Sequence, residues 1–272
     1  TMSRVSAGTQ SNKAQGTGSS LSDADKGSLN SDSSYDTKAS FNGASGAHST
    51  SATLSATSVT AGSVAVSSLD KTEVLNNAGS LAIGGLGMSA GVALTTLGGA
   101  NSASISSASL TTTGGVSVDA GTRELHGGTT SIQSRAIAGA GGIVGLGAAV
   151  SLAKNETANS ASLSGTVSAG GAVNVSALDD ASMRSESYGA SVGAVSVGVV
   201  IAKAEQTGSV LTQVGGSITG QGMNISAQRD ASTNAYAKGG SAGVVSGSGA
   251  EADATDSSSV KVALASGVSL NA

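Results

Sequence analysis

Short stretches of alternating apolar and polar residues recur along this chain at intervals of about fifty residues. Four copies follow one another, at residues 64–70, 116–120, 173–177 and 223–227, and their starts are 52, 57 and 50 residues apart. Alternation with a period of two predicts β-strands that bury one face. A fixed long period predicts a chain built from structural repeats.

Each alternating stretch follows a glycine-containing turn and an earlier apolar run. These combined units span residues 58–66, 109–118, 166–175 and 217–225. Two short runs separated by glycine predict a strand, a tight corner and a second strand. Val, Ile and Thr favour this structure because their branched side chains pack well on a pleated surface.

A polar segment and then a glycine-rich apolar run complete each repeat. The polar segments, interpreted as solvent-facing strands or corners, are residues 70–73, 123–126, 179–184 and 229–234. The apolar runs are residues 81–94, 137–150 and 192–201, with a weaker copy at 239–249. Glycine costs about 1 kcal/mol in a helix interior, whereas glycine within a strand marks a close backbone approach. We therefore expect two sheets that lie closer together than larger side chains would allow.

These patterns predict an all-β fold, a β-solenoid (β-helix) of about four to five repeats of roughly 50 residues each. That length is long for one winding, so two coils of about 25 residues per repeat are expected. Residues 1–57 are interpreted as a degenerate polar first repeat or loop-rich segment. The array then occupies residues 58–272, divided at 58–108, 109–165, 166–216 and 217–267, with a further repeat starting at 268–272. We expect the chain to be a segment of a longer array.

Composition supports a thin interior. The chain has 272 residues with 41 Gly, no Pro, no Cys and no Trp, and its aromatic residues are Tyr35, Phe41, Tyr188 and Tyr236. Small side chains fill only a narrow core, and proline would interrupt stacked backbone ladders. Disorder is disfavoured because the mean hydropathy is +0.13 and only 11% of residues are charged.

Charge and cysteine content narrow the possible partners. The net charge is −4 and no basic stripe is present, so nucleic acid is not a predicted partner. Without cysteine there is neither a disulfide framework nor a thiolate metal site.

Candidate catalytic chemistry is weak. Gly-x-Ser-x-Gly, the pattern of a nucleophile elbow, occurs at residues 87–91, 189–193 and 239–243. A nucleophilic serine needs a strand-to-helix turn, a histidine and an acid, and three copies, expected in equivalent places of the repeat, favour composition as the explanation. His48 and His126 lie far apart and are interpreted as loop histidines. We predict no enzyme activity and assign no catalytic, cofactor-binding or metal-binding residue.

Acidic residues and asparagines supply the remaining candidate sites. Asp70, Asp179, Asp180 and Asp230 occupy similar points in three repeats, so they either share a cation or face water at turns. The second interpretation is favoured, and whether they bind cations stays open. Residues 23–27, with Asp32 beyond, lack the glycine at position six and the glutamate at position twelve of an EF-hand calcium loop. The glycosylation patterns at Asn155, Asn174 and Asn224 are attributed to chance.

The order of these motifs resembles a known family. Gly-Gly-x-Val-x-Val-x-Ala at residues 170–177, a polar stretch, and a Gly/Ala/Val run such as residues 139–150 are similar to repeats of large bacterial filamentous adhesins. Leukotoxin-like and filamentous haemagglutinin-like adhesins are the groups that residues 58–272 resemble. The resemblance implies secretion through an outer-membrane partner, a β-helical stalk, and a role in attachment or matrix building at the cell surface or outside the cell.

The predicted function is therefore a structural or adhesive segment of a secreted bacterial surface or biofilm-matrix filament. Its expected partners are further copies stacked end to end, or continuation in a longer chain, and host or matrix glycans or proteins. No cofactor is predicted. The alternative is a ligand-binding solenoid with a flat Ser/Thr face for glycan or ice, for which Thr111 to Thr113 are the only hint. A β-helical polysaccharide-degrading enzyme is less favoured because the acids are scattered.

Overall fold

The described part of the chain consists of strands without a helix. The computed structural model describes residues 2–10, 14–17, 47–71, 73–123 and 132–272. In chain order the strands are β1 (Met2–Gln10), β2 (Ala14–Thr17), β3 (Ala47–Ala61), β4 (Ser63–Lys71), β5 (Val74–Thr112), β6 (Val116–Arg123), β7 (Ile132–Asn155), β8 (Ala158–Ala169), β9 (Ala172–Asp179), β10 (Met183–Val192), β11 (Val195–Gln206), β12 (Ser209–Val214), β13 (Ser217–Thr219), β14 (Gly222–Arg229), β15 (Thr233–Ala242), β16 (Val245–Asp256), β17 (Ser259–Leu264) and β18 (Ser269–Asn271). The all-β prediction is confirmed for these residues.

The strands pair in parallel with the equivalent strand of the next repeat. Along one sheet Val5 pairs with Val66, Val66 with Val118, Val118 with Val175, and Val175 with Ile225. Each pair joins residues that are a full repeat apart in sequence. Two coils per repeat would pair residues only half a repeat apart, so that prediction is wrong. One repeat supplies one strand to each position in the sheets.

The third repeat shows the path of the chain. Strand β9 belongs to a five-stranded sheet with the order β1-β4-β6-β9-β14. The chain then runs through β10 and β11, which each pair with β7, and through β12 and β13, which each pair with β8. In the first array repeat the long strand β5 covers the positions of four later strands without interruption. The glycine corners are confirmed where Gly170 and Gly171 separate β8 from β9.

The larger aliphatic side chains form one core. The inward residues of the five-stranded sheet pack against those of β5, β8, β12 and β13, including Val118, Val175, Ile105, Leu163 and Ile218. These side chains are almost completely buried. We call this part of the molecule the body.

A second, thinner unit extends from the body. We call it the double layer: its first layer contains β10 and its equivalents, and its second layer contains β11 and its equivalents. Its interior is formed mainly by small residues such as Ala93, Ala136, Ala138 and Ala149. After leaving the five-stranded sheet, the chain passes through both layers of the double layer before it enters β12. This additional path explains why one winding is as long as the whole repeat.

Buried serines hold the two layers together. The Ser134 hydroxyl donates to the Ala93 carbonyl at 2.9 Å, Ser151 donates to the Ser134 carbonyl at 2.7 Å, and Ser185 donates to the Ser151 carbonyl at 2.9 Å. Each bond crosses from one layer to the other. A serine side chain is short, so these hydrogen bonds require closely spaced backbones. The spacing is also shown by Gly145, where an added Cβ would lie 2.8 Å from the Val192 carbonyl oxygen. The close approach predicted from the glycine-rich runs is confirmed.

Candidate interaction surfaces

The second layer carries an exposed aliphatic surface. Alternation places Gly147, Ala149 and Ser151 inside the double layer, and the intervening residues point outward. Parallel register aligns the outward residues of neighbouring repeats, so that Met88, Leu146 and Val197 form one row. We call the resulting surface the aliphatic face; it consists of Leu86, Met88, Val92, Val144, Leu146, Val150, Val195, Val197, Val199 and Ile201. Contiguous apolar surface of this kind marks an interaction site.

Charged residues border the aliphatic face at the end nearest the body. The Lys154 ammonium lies 2.7 Å from Glu156 and 3.9 Å from Glu205, and Lys203 lies 3.4 Å from Glu251. The hydrogen bond to Glu156 is the largest cause of the raised pKa of Lys154. Both signs of charge are present and they pair with each other. Glu251 lies on the edge strand β16 beside Ile201, so the row of Ile201 ends in a charge that is paired with Lys203.

The outer side of the body carries a surface of hydroxyl groups. Outward positions of β3, of the end of β5 and of β8 are Ser or Thr in successive repeats, and register places Thr53, Ser104 and Ser162 in one row. The Ser104 and Thr53 hydroxyls are hydrogen-bonded at 3.1 Å. We call this surface the hydroxyl face; it consists of Ser51, Thr53, Ser55, Ser58, Thr60, Ser102, Ser104, Ser106, Ser109, Thr111, Ser160, Ser162, Ser164, Thr166 and Ser168.

The outer side of the first layer carries a cluster of charged and aromatic residues. The almost fully buried Glu186 carboxylate lies 2.5 Å from Arg184 and 3.7 Å from Arg135. The Arg135 guanidinium lies 5.0 Å from the centre of the Tyr188 ring, and the rings of Tyr188 and Tyr236 are 5.7 Å apart. Burial, and then the Glu186 carboxylate, raises the pKa of Tyr188. The cluster is internally paired, which favours a role in covering this part of the sheet.

A buried ion pair lies where the five-stranded sheet leads into the double layer. Asp179 is fully buried, with its carboxylate 3.3 Å from the Arg229 guanidinium and 3.3 Å from the Gln206 amide nitrogen that donates to it. Desolvation is the largest influence and raises the pKa of Asp179 to about 6, although the Arg229 charge acts in the opposite direction. A separate set of buried hydrogen bonds lies in the two preceding repeats. There the Asn101 amide donates to the Asn159 side-chain oxygen at 2.8 Å and to the Thr122 hydroxyl at 3.0 Å.

The four aspartates of the sequence prediction are not equivalent. Asp70 and Asp179 align through Thr122, and both are buried, at 3% and 0% exposure. The interpretation that they face water is therefore wrong for this pair, because the inward face of the sheet includes these positions. Asp180 is half-buried and Asp230 is exposed. Within residues 47–71, 73–123 and 132–272, no three His, Cys, Asp or Glu side chains are grouped to hold a metal ion.

The three Gly-x-Ser-x-Gly serines lie within strands. Ser191 and Ser241 are paired in β10 and β15, whereas Ser89 lies in the second-layer part of β5. The expectation that all three are equivalent is therefore wrong. Strand β10 ends at Val192 and strand β11 begins at Val195, so no helix follows Ser191 as a nucleophile elbow requires.

The asparagines and histidines singled out by the sequence lie in different surroundings. Asn155 is buried and accepts hydrogen bonds from the Thr157 backbone and hydroxyl, while Asn174 is half-buried and Asn224 is exposed. The backbone of His48 lies in β3. Three other candidates, Asp23, Asp32 and His126, lie outside the described residues.

The aliphatic face was not predicted from sequence, and a Ser/Thr face was considered only as an alternative, from Thr111 to Thr113. The signal in the sequence has two parts. Ser or Thr, or Val, Leu or Ile, occupies every second position of a strand, and the same residue types recur at the aligned positions one repeat later. Reading this signal requires the exact pairing offset between neighbouring strands. The offset varies along the chain, since it is longer between β5 and β7 than between β11 and β16.

Comparisons with known proteins add no relative. Comparison with profiles of known families, with curated proteins and with solved structures found no match. In the part of the chain with described structure, no helix has the length and apolar character to span a membrane.

Proposed function

We propose that this chain is a structural and adhesive segment of a secreted bacterial surface or extracellular-matrix filament, built as a β-solenoid with one winding per repeat. The support for the solenoid is the parallel register, which places each strand beside its equivalent one repeat away. The support for a bacterial filament is the resemblance of residues 58–272 to filamentous adhesin repeats. Length and repeated surface, rather than one pocket, then provide the function.

The observation that carries this proposal is that each repeat buries the core side chains of its neighbour through the register. Val210, Val214 and Ile218 are each 1% exposed, whereas their register partners Val260, Leu264 and Leu270 are 48%, 53% and 39% exposed. A repeat therefore needs a neighbour on each side to bury its core side chains and to pair its backbone groups. An uncovered edge, called the open edge below, favours pairing with another strand.

In a filament the open edge is covered by a further winding, from a second copy stacked end to end or from the same chain. Each added winding extends the ladders by about 4.8 Å and buries the exposed core side chains. Strands β1, β2 and β3 lie at the opposite edge, so copies can join head to tail. Head-to-tail joining that does not close produces open filaments.

Electron microscopy with matched variants tests the stacking. Leu264→Asp places a charge on the inward side of β17, where a stacked winding would bury it at high cost. Ala263→Asp places the same charge on the outward side of the same strand. We expect rods and filaments from the wild type and from Ala263→Asp, and single particles from Leu264→Asp. Wild-type protein that stays as single-chain particles at all concentrations would contradict end-to-end stacking of copies.

The hydroxyl face supports a second candidate function, a module that binds glycan or ice. A flat array of uncharged hydroxyls offers many regularly spaced donors and acceptors. Substituting Ser104 and Thr111 by Lys should abolish glycan retention or thermal hysteresis if this face binds either ligand. Wild-type protein with neither property would reject this candidate and leave the filament proposal intact.

A further inference from the structure

The aliphatic face has no partner within the described chain. Its central residues Val197 and Val199 are each 44% exposed, and Leu86 and Met88 are each 63% exposed. These side chains project from a rigid parallel sheet, since β11 pairs with β7 on one side and with β16 on the other. We propose that the aliphatic face binds the same face of a second copy, so that two molecules pair side by side through their double layers.

The shape of the face fits a sheet-on-sheet contact. Flat sheets pack face to face about 10 Å apart, with interdigitating side chains. The rows contain Val, Leu, Ile, Met and Ala in the repeats that contain β5, β7 and β11. A sheet surface of aliphatic side chains without large aromatic ones fits another sheet surface better than a helix or an extended peptide.

The aliphatic face and its charged border together have the size of a standard interface. Strand β11 has 12 residues, which extend about 40 Å, and four strands spaced about 4.8 Å apart are about 19 Å wide. The outer surface of the second layer therefore covers about 750 Å² in projection, and the aliphatic face forms about 330 Å² of it. A standard interface buries about 800 Å² on each partner.

The distribution of charge favours a second copy over a lipid surface. Lys154, Glu205 and Lys203 lie at the end near the body, and Glu251 lies on the edge strand β16 beside Ile201. A two-fold axis near Val197 would leave these charges at the rim, which is the arrangement of an apolar core with a polar border. Membrane-binding surfaces carry aromatic anchors and unpaired basic residues, and the aliphatic face has neither.

Side-by-side pairing and end-to-end stacking use different surfaces. The Leu264→Asp substitution is expected to block stacking alone, so pairing is measured in the Leu264→Asp protein. Val197→Lys places a charge at the centre of the aliphatic face. Ile137→Lys is the matched control, because Ile137 is 42% exposed on the outer side of the first layer. In the Leu264→Asp protein, we expect sedimentation as a dimer, conversion to a monomer by Val197→Lys, and no change with Ile137→Lys.

A cross-linking measurement covers the case in which Val197→Lys disturbs folding. The chain contains no cysteine, so Val197→Cys introduces a single thiol of similar size. We expect rapid oxidation to a disulfide-linked dimer for Val197→Cys and none for Ile137→Cys.

Three results would overturn the inference. These are a monomer for the Leu264→Asp protein at high concentration, dimers that persist with Val197→Lys, and equal cross-linking of the two cysteine variants. Flotation of monomers with phosphatidylcholine vesicles that depends on Val197 would also overturn it and assign the face to a lipid surface.

Discussion

At the scale of single residues, small side chains determine how closely the layers approach. Gly91 lies inside the double layer, and a Cβ there would collide with the backbone carbonyl of Ile137 in the next repeat. Buried Ser134 and Ser151 add hydrogen bonds across the same narrow space. The glycines and serines that suggest disorder by composition are therefore core residues of this unit.

Gly91→Ala should destabilise the protein by about 1–3 kcal/mol, because an added methyl group in a tightly packed interior forces the layers apart. Gly79→Ala is the control, since a Cβ at Gly79 meets nothing within 4 Å. Denaturant unfolding followed by circular dichroism measures both. Equal midpoints for the two variants would show that the layers tolerate separation.

Asp179 should make stability depend on pH in the mildly acidic range. Its pKa is raised from 3.8 to about 6, with burial the largest cause. Between these values the folded carboxyl stays protonated while the unfolded one ionises, so the free energy of unfolding falls as pH rises. The contribution lost by about pH 6 is about 3 kcal/mol.

Unfolding experiments between pH 4 and pH 7 on wild type and Asp179→Asn test this expectation. The asparagine variant should lack the decline. Arg229→Met should extend the decline to higher pH, because the Arg229 charge lowers the pKa of Asp179. Parallel profiles for wild type and Asp179→Asn would show that another group titrates.

At the scale of elements, glycines that align from one repeat to the next determine where the strands turn. Gly165, Gly216 and Gly267 have φ values of 108°, 88° and 74°, and they occupy one corner in three successive repeats. Positive φ is accessible to glycine but strained for other residues. The corner between β12 and β13 and its equivalents at Gly165 and Gly267 therefore depend on glycine, whereas Ser107 occupies the aligned position before Gly165.

Two alanine variants separate the causes of this dependence. Gly267→Ala adds backbone strain alone, of about 1 kcal/mol, because no atom lies within 4 Å of the added Cβ. Gly216→Ala adds the same strain and a collision with the Gly165 carbonyl. Thermal unfolding should show the larger loss for Gly216→Ala, and the reverse order would contradict the stacking of these corners.

At the scale of the whole molecule, stability depends on whether a repeat is covered on both sides. Val210 and Val260 are register partners, but Val260 belongs to the last repeat and is 48% exposed. The hydroxyl face, the aliphatic face and the open edge are likewise properties of several repeats together. They point in different directions and can act independently.

Val210→Ala should cost about 2 kcal/mol, because it removes two buried methyl groups and leaves a cavity. Val260→Ala should cost less than half of that in the monomer. When copies stack end to end, the cost of Val260→Ala should rise with protein concentration toward that of Val210→Ala. Unfolding at several concentrations measures this change, and equal, concentration-independent costs would contradict an open edge.

Much of the local structure was predictable from the sequence. Alternation around Val118, Val175 and Ile225 predicted the strands, and Gly170 and Gly171 predicted a corner. Winding size was missed, because the Gly84 and Gly85 pair was interpreted as part of a continuous strand although such a pair also marks turns. Burial of Asp179 was also missed, since its interior position depends on Arg229 from the next repeat.

The sequence by itself determined the strand character, the repeat length, the glycine corners and the small size of the interior, because these depend on properties that each residue has locally. Only the tertiary structure decided which residues a whole repeat apart lie side by side. That alignment makes the aliphatic face from scattered Val, Leu and Ile, and the hydroxyl face from scattered Ser and Thr. A surface is made by register between repeats, and register is set by packing and hydrogen bonding across the whole sheet.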